Sequence, residues 1–143
     1  MIINLTKKTV VAKVPVSAAT FADRGRGMIC RDFNGFDAMV FNHCNCIHTM
    51  LMRINLDVIF VDSGNRVCDL REKLLPWKPL VRCGTASAVI ELPEGAIRGS
   101  HTDVGDLLDL NAELTNETEK KLAGALMPVP ETMMTPLNGR HKR

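Results

Sequence analysis

Leu56-Asp57-Val58-Ile59-Phe60-Val61 is the stretch that decides the fold. Successive side chains of an extended chain point to opposite faces, so Leu56, Val58 and Phe60 lie on one side and Asp57, Ile59 and Val61 on the other. Both faces are apolar except at Asp57, which marks the segment as the most central strand of a sheet covered on both sides. A carboxylate buried alone is costly. Asp57 is therefore expected to be paired, hydrogen-bonded or at a strand end, and its plainest role is that of a structural acceptor.

Working outward, Asp62-Ser63-Gly64-Asn65 is a turn signal, and residues 66–70 should return antiparallel. Short apolar runs at residues 2–5 and 10–14 predict an opening hairpin across Thr6-Lys7-Lys8. Residues 38–41, 46–52, 87–92 and 106–110 read as further strands, with Pro93-Glu94-Gly95 as a turn. Residues 17–29 are the best helix, with Ser17 as N-cap, although Gly25 and Gly27 weaken its second half. The expected fold is mainly β, a compact antiparallel barrel or sandwich with one short N-terminal helix.

All five cysteines, all five phenylalanines and Trp77 fall in residues 1–110, which should form the β-rich domain. Residues 111–143 carry no aromatic side chain and read as an appendage. There Asn116 and Glu119 fit a capping box, and Leu114, Leu122 and Leu126 make a thin helical stripe. After Pro128 the composition predicts a disordered tail ending in Arg140-His141-Lys142-Arg143.

The 143 residues, 45% hydrophobic and 24% charged with mean hydropathy +0.01, suit an ordinary globular chain with one domain. A net charge of +2, no tyrosine and no aromatic–basic interleaving argue against a nucleic-acid partner. The apolar runs are strand-length, whereas a membrane helix needs about 20 apolar residues, so no membrane partner is expected. Lys7 and Lys8 follow the first apolar run, and no secretory h-region is present. The odd, irregularly spaced cysteines then read as reduced thiols of a cytoplasmic protein.

His43-Cys44-Asn45-Cys46-Ile47-His48 is the segment richest in reactive groups. Cys44, Cys46 and His48 would share one face of a strand, but at 3.3 Å per residue the first and last lie roughly 13 Å apart. Ligands of one zinc ion sit within about 2.3 Å of it, so a metal site needs a turn at Asn45 and a further ligand such as Cys30, Cys68 or His101. The same cysteines and histidine also admit a nucleophile and base. No phosphate loop, H-E-x-x-H or G-x-S-x-G motif occurs, and no cofactor or catalytic residue is assigned.

A series of short motifs carries a family resemblance. It runs Arg24-x-x-Gly27-Met28-Ile29-x-Arg31, Ala38-Met39-Val40-Phe41, Cys44-Asn45-Cys46-Ile47-His48-Thr49, Met52-Arg53 and Leu56 to Asp62. It continues through Gly64-x-x-Val67, Leu75-Pro76-Trp77-Lys78, Glu91-Leu92-Pro93-x-Gly95 and Gly105-Asp106. In order and spacing this resembles the prokaryotic family called domain of unknown function 192, over residues 24–110. The resemblance implies a compact β-rich domain and no established reaction. The chain resembles the branch with Cys-x-Ser-Ile-His-Thr before the central strand; the other branch usually has Trp-Met where His48 and Thr49 stand, so an activity common to both would not have His48 as its indispensable ligand or base. Cys46 where serine is common, Asn55 where proline is usual and Met50-Leu51 for an aromatic pair are departures that bear on any pocket beside the central strand.

Arg24, Arg31, His48, Arg53, Asp57, Trp77 and Asp106 are the polar or amphipathic side chains of the matched motifs. Gathered at one pocket they would bind a small polar or anionic ligand; otherwise Arg24 or Arg53 pairs with Asp57 or Asp106 to tie strands together. The leading expectation is a non-enzymatic binding or accessory domain for such a ligand or a protein partner. The alternatives are a metal- or cysteine-dependent enzyme using Cys44 and His48, and an interaction module docking through the C-terminal helix.

Overall fold

The computed structural model describes residues 1–20, 25–29 and 31–112. Ten strands follow one another: β1 (Ile2–Asn4), β2 (Thr9–Ala12), β3 (Pro15–Ser17), β4 (Ala38–Asn42), β5 (Cys46–Ile47), β6 (Leu56–Val61), β7 (Val67–Leu74), β8 (Val81–Arg82), β9 (Ala88–Pro93) and β10 (Leu108–Asp109). A helix, α1 (Ala96–Ser100), lies between β9 and β10.

The strands form a five-stranded sheet in the order β3-β4-β9-β6-β7, a three-stranded sheet β10-β1-β2 and a two-stranded sheet β5-β8. None closes into a barrel. Every pairing is antiparallel except that of β3 with β4, where Pro15, Val16 and Ser17 run beside Ala38, Met39 and Val40. The Asp37 carboxylate makes the corner into β3 by accepting from the backbone N–H of Lys13 and of Val14, both at 2.7 Å. The opening hairpin and the return of β7 along β6 are as expected. The expected strand at residues 46–52 shrinks to Cys46–Ile47. The middle place in the large sheet belongs to β9, with β6 beside it.

The expected N-terminal helix is not what forms at Ser17, which ends β3 instead of capping a helix. The parallel partner β4 satisfies this backbone: the N–H of Ala18 donates to Val40 O at 2.9 Å. Gly25 and Arg26 are helical and Gly27 follows in a turn; residues 21–24 lie outside the described residues. The helix with defined bounds is α1, near the other end of the domain. It has no capping side chain of its own, and Gly95 enters it at φ 92, in the left-handed region that favours glycine. Asp57 supplies the cap from β6, its Oδ2 accepting from the N–H of Gly95 (3.0 Å) and of Ile97 (2.9 Å) while Oδ1 accepts from Lys73 N–H (2.9 Å). A bulge in the β6–β7 pairing between Leu56 and Val58 accompanies that last bond.

All six residues of β6 are buried, and its alternation separates two apolar layers. Ile59 and Val61 pack with Ile2, Ile90, Leu92, Ile97 and Leu108, joining the three-stranded sheet and α1 to one face. Leu56, Val58 and Phe60 pack with Met28, Met39, Phe41, Met52 and Val89 on the other. The two-stranded sheet borders this second layer through Ile47 and Val81. Among the described residues no helix is long and apolar enough to cross a membrane. The expected C-terminal helix and tail lie outside the described residues.

Candidate functional site

Strand β9 reads Ala88-Val89-Ile90-Glu91-Leu92-Pro93, with Ile90 and Leu92 facing the layer that holds α1 and Val89 facing the opposite one. Glu91 therefore projects into the second apolar layer, from a strand flanked by β4 on one side and β6 on the other. Its backbone neighbours are Met39 and Val58. The residue is 1% exposed. Its Oε2 has no hydrogen-bond partner, and burial pushes the carboxyl up from 4.5 to about 8. At neutral pH Glu91 is thus a neutral carboxylic acid that can donate a hydrogen bond.

Glu91 lines a cavity of about 130 Å³ together with Arg26, Gly27, Phe41, Cys44, Cys46, Ile47, His48 and Met52. The opposite wall is held by the two-stranded sheet and the loop after it. Cys46 pairs with Arg82 and Ile47 with Val81. Buried Thr49 then fastens the chain to residues 75–78: its N–H donates to Lys78 O and its hydroxyl to Leu75 O, both at 2.8 Å, while its carbonyl accepts from Trp77 N–H at 2.8 Å. His48 sits between these two anchors, and its Nδ1 is buried without a partner. Cys44 donates its thiol hydrogen to Cys46 O at 3.0 Å.

Gly27 shapes the remaining wall. It adopts φ +46, and a Cβ there would come within 3.6 Å of the Phe41 ring and 3.8 Å of Glu91 Oε2. The site thus combines a protonated carboxyl, an imidazole, two thiols and a guanidinium with the apolar bodies of Phe41, Ile47 and Met52. Few placed polar groups in an apolar concavity are the usual makeup of a small-molecule pocket.

The residues singled out from the sequence reach this cavity only in part. Of the six ligand candidates among the described residues only His48 lines it. Asp57 lies on the opposite face of the sheet, where three backbone N–H groups hold it, so it is the structural acceptor expected of it. Asp106 is buried and accepts from Asn4 Nδ2 (2.8 Å) and Asp103 N–H (2.9 Å). Burial alone would raise its pKa, but these two bonds and nearby Lys7 outweigh that and hold it below the ordinary value. Neither carboxylate pairs with Arg53, which is exposed. Trp77 is 59% exposed at φ 67, Arg31 is half-buried and is not among the lining residues, and Arg24 lies outside the described residues. The three metal candidates Cys44, Cys46 and His48 all reach the cavity wall. Among the described residues, though, no three His, Cys, Asp or Glu side chains gather as metal ligands.

Glu91 is the residue that sequence reasoning missed. Its signal was present: a lone carboxylate in an alternating apolar run, the pattern that drew attention to Asp57.

The chain is 35% identical over 119 residues to a UPF0127 protein of Thermococcus sibiricus, covering 79% of this chain and 76% of that one. It is 37% identical over 128 residues to a UPF0127 protein of Thermococcus kodakarensis, covering 84% and 78%. The crystal structure of a protein of unknown function from Novosphingobium aromaticivorans shares the fold with a TM-score of 0.59 at 22% identity, over 66% of this chain and 73% of that one. Residues 2–110 match the model of the DUF192 family, described as uncharacterised ACR, and to that family the chain belongs.

Proposed function

We propose that the domain binds a small polar or anionic molecule in the cavity between Glu91 and His48. The observation that carries this reading is that both residues line one cavity and each has a buried polar atom with no partner in the protein. An unsatisfied buried polar group costs about 1–3 kcal/mol, a cost that a ligand accepting from Glu91 and bonding to His48 would remove. A cavity of about 150 Å³ accommodates benzene, so 130 Å³ suits a ligand of about six heavy atoms. Arg26 at the same cavity favours an anionic end on that ligand. Glu91, neutral below about 8, is then a donor to it and not a repelling charge.

The test is a panel of small carboxylic acids and amides, titrated while the methyl resonances of Ile47 and Met52 are followed by NMR. At least one member should shift both in wild type and neither in Glu91→Leu. Binding that uses the Glu91 proton should hold below about pH 8 and fall away above it. If no panel member moves either resonance, or if Glu91→Leu binds as well as wild type, the reading fails.

One observation favours a protein partner as the second reading. Leu51, Leu75, Trp77 and Leu80 are all more than half exposed, and they lie on the two segments that Thr49 joins. For cysteine chemistry the arrangement offers less, because the Cys44 thiol hydrogen is directed to a backbone carbonyl.

A further inference from the structure

Cys68 and Cys83, neither of which lines the cavity, bring their sulfurs to 3.4 Å, although they stand 15 positions apart in the chain. Cys68 is the extra residue of a β-bulge, since Phe60 faces Asp69 and Val61 faces Val67. Bulges of this kind re-aim a side chain. Cys83 follows β8 directly, held by its N–H to Asn45 O at 3.0 Å and by its carbonyl, which accepts from Ala86 N–H at 3.1 Å. Both thiols are free and half-buried. A disulfide bond is about 2.05 Å long, so the sulfurs need to close by roughly 1.4 Å.

The two thiols are also unequal. Burial pushes Cys83 up, but hydrogen bonds with Thr85 Oγ1 and with Cys68 outweigh it and leave the thiol below its ordinary value. Cys68 is pushed up by burial and by its contact with Cys83. A more acidic thiol beside a less acidic one is the arrangement of an attacking and a resolving cysteine.

We propose that Cys68 and Cys83 are a reversible dithiol–disulfide site, oxidised by low-molecular-weight disulfides with Cys83 as the attacking thiol. Cys83 gives up its proton, and its thiolate attacks one sulfur of the small disulfide. That S–S bond breaks, and the departing thiolate takes up a proton. Cys68 then loses its proton and attacks the Cys83 sulfur of the mixed disulfide, expelling the second small thiol, again protonated. The two protein thiols lose two electrons and two protons, and the small disulfide becomes two thiols. The new bond would join β7 of the large sheet to the segment that follows β8, the strand paired with β5.

The test uses the full chain, reduced and then equilibrated without oxygen in glutathione and glutathione disulfide at increasing oxidising ratio. Samples are quenched by alkylation and mapped by peptide mass spectrometry. The expected product is a Cys68–Cys83 cross-link two hydrogens lighter than the dithiol, with the other cysteines alkylated, and reversed by excess glutathione. In Cys68→Ser the reaction should stop with glutathione on Cys83. Full alkylation of Cys68 and Cys83 at the most oxidising ratio would overturn the proposal. So would a mixed disulfide that persists on Cys83 in wild type, or a different pair cross-linking first. The wild-type map decides even if the variant folds poorly, and it does not depend on whether the cavity binds a ligand.

Discussion

Replacing Glu91 by glutamine removes the proton that burial holds on the carboxyl while nearly preserving its shape. The folded protein keeps that proton up to about pH 8, whereas an ordinary glutamate releases it at 4.5. Below 4.5 both folded and unfolded chains carry the proton, so Glu91 imposes no ionisation penalty. Between 4.5 and about 8 only the unfolded chain lets it go, and stability falls as pH rises; above about 8 the loss levels off. At about 1.4 kcal/mol per pH unit, the penalty is about 3 kcal/mol at pH 7 and about 5 kcal/mol beyond the upper value. Glutamine has no proton to release, and any packing cost of its amide is the same at every pH. Urea unfolding of both proteins at about pH 5, 7 and 9 should therefore show Glu91→Gln gaining on wild type by several kcal/mol across the series. A stability difference constant to within about 1 kcal/mol over that range would show that Glu91 ionises as it does in water and is no neutral donor in the cavity.

Asp57→Ala strands three backbone N–H groups at once; at about 1–3 kcal/mol each, unfolding free energy should drop by at least about 3 kcal/mol in urea. A loss under about 1 kcal/mol would remove Asp57 from the role of trans-acting cap. Gly27→Ala places a Cβ at φ +46 beside Phe41 and Glu91, so it should cost about 1–2 kcal/mol by the same assay and weaken ligand shifts at Ile47. Asp106 titrates below the ordinary aspartate value. Its contribution should be complete above that ordinary value and vanish as pH falls through the depressed one; Asp106→Asn, compared with wild type at successive acid pH values, should lack that loss. The oxidised protein, its 15-residue loop closed between Cys68 and Cys83, should unfold at higher urea than the reduced form, by about 3 kcal/mol if chain entropy dominates.

Local pattern made much of the β framework legible. The period-two alternation of Leu56 to Val61 assigned its residues to the correct faces, and Asp62 to Asn65 turned the chain where expected. What alternation cannot encode is pairing at a distance. The β3–β4 pairing converts Ser17 from a helix cap into a strand end, and α1 forms with only five residues because Asp57, 40 positions from Ile97, supplies its acceptor. The candidate site was less legible for the same reason. The matched motifs contain its residues, including Gly27, Cys44, His48 and Glu91, but polar side chains in a motif do not share a face merely by standing in one series. Asp57 and Glu91 both lie at buried positions of neighbouring strands, yet register sends them to opposite layers, one fully hydrogen-bonded and the other not.

The antiparallel bond between β1 and β10 also sets when the domain can be completed during synthesis. Ile3 faces Asp109, and Asn4 reaches across 98 and 102 positions to Thr102 and Asp106. Strand β1 must therefore wait until β10 has been made. At roughly 5–20 residues per second that wait is on the order of 5–20 s, during which Ile2 has none of its β10 neighbours to cover it. Closing so long a loop before its contacts form places the domain among the slower-folding topologies. Until β10 emerges, strand β1 of a nascent chain keeps one edge unpaired.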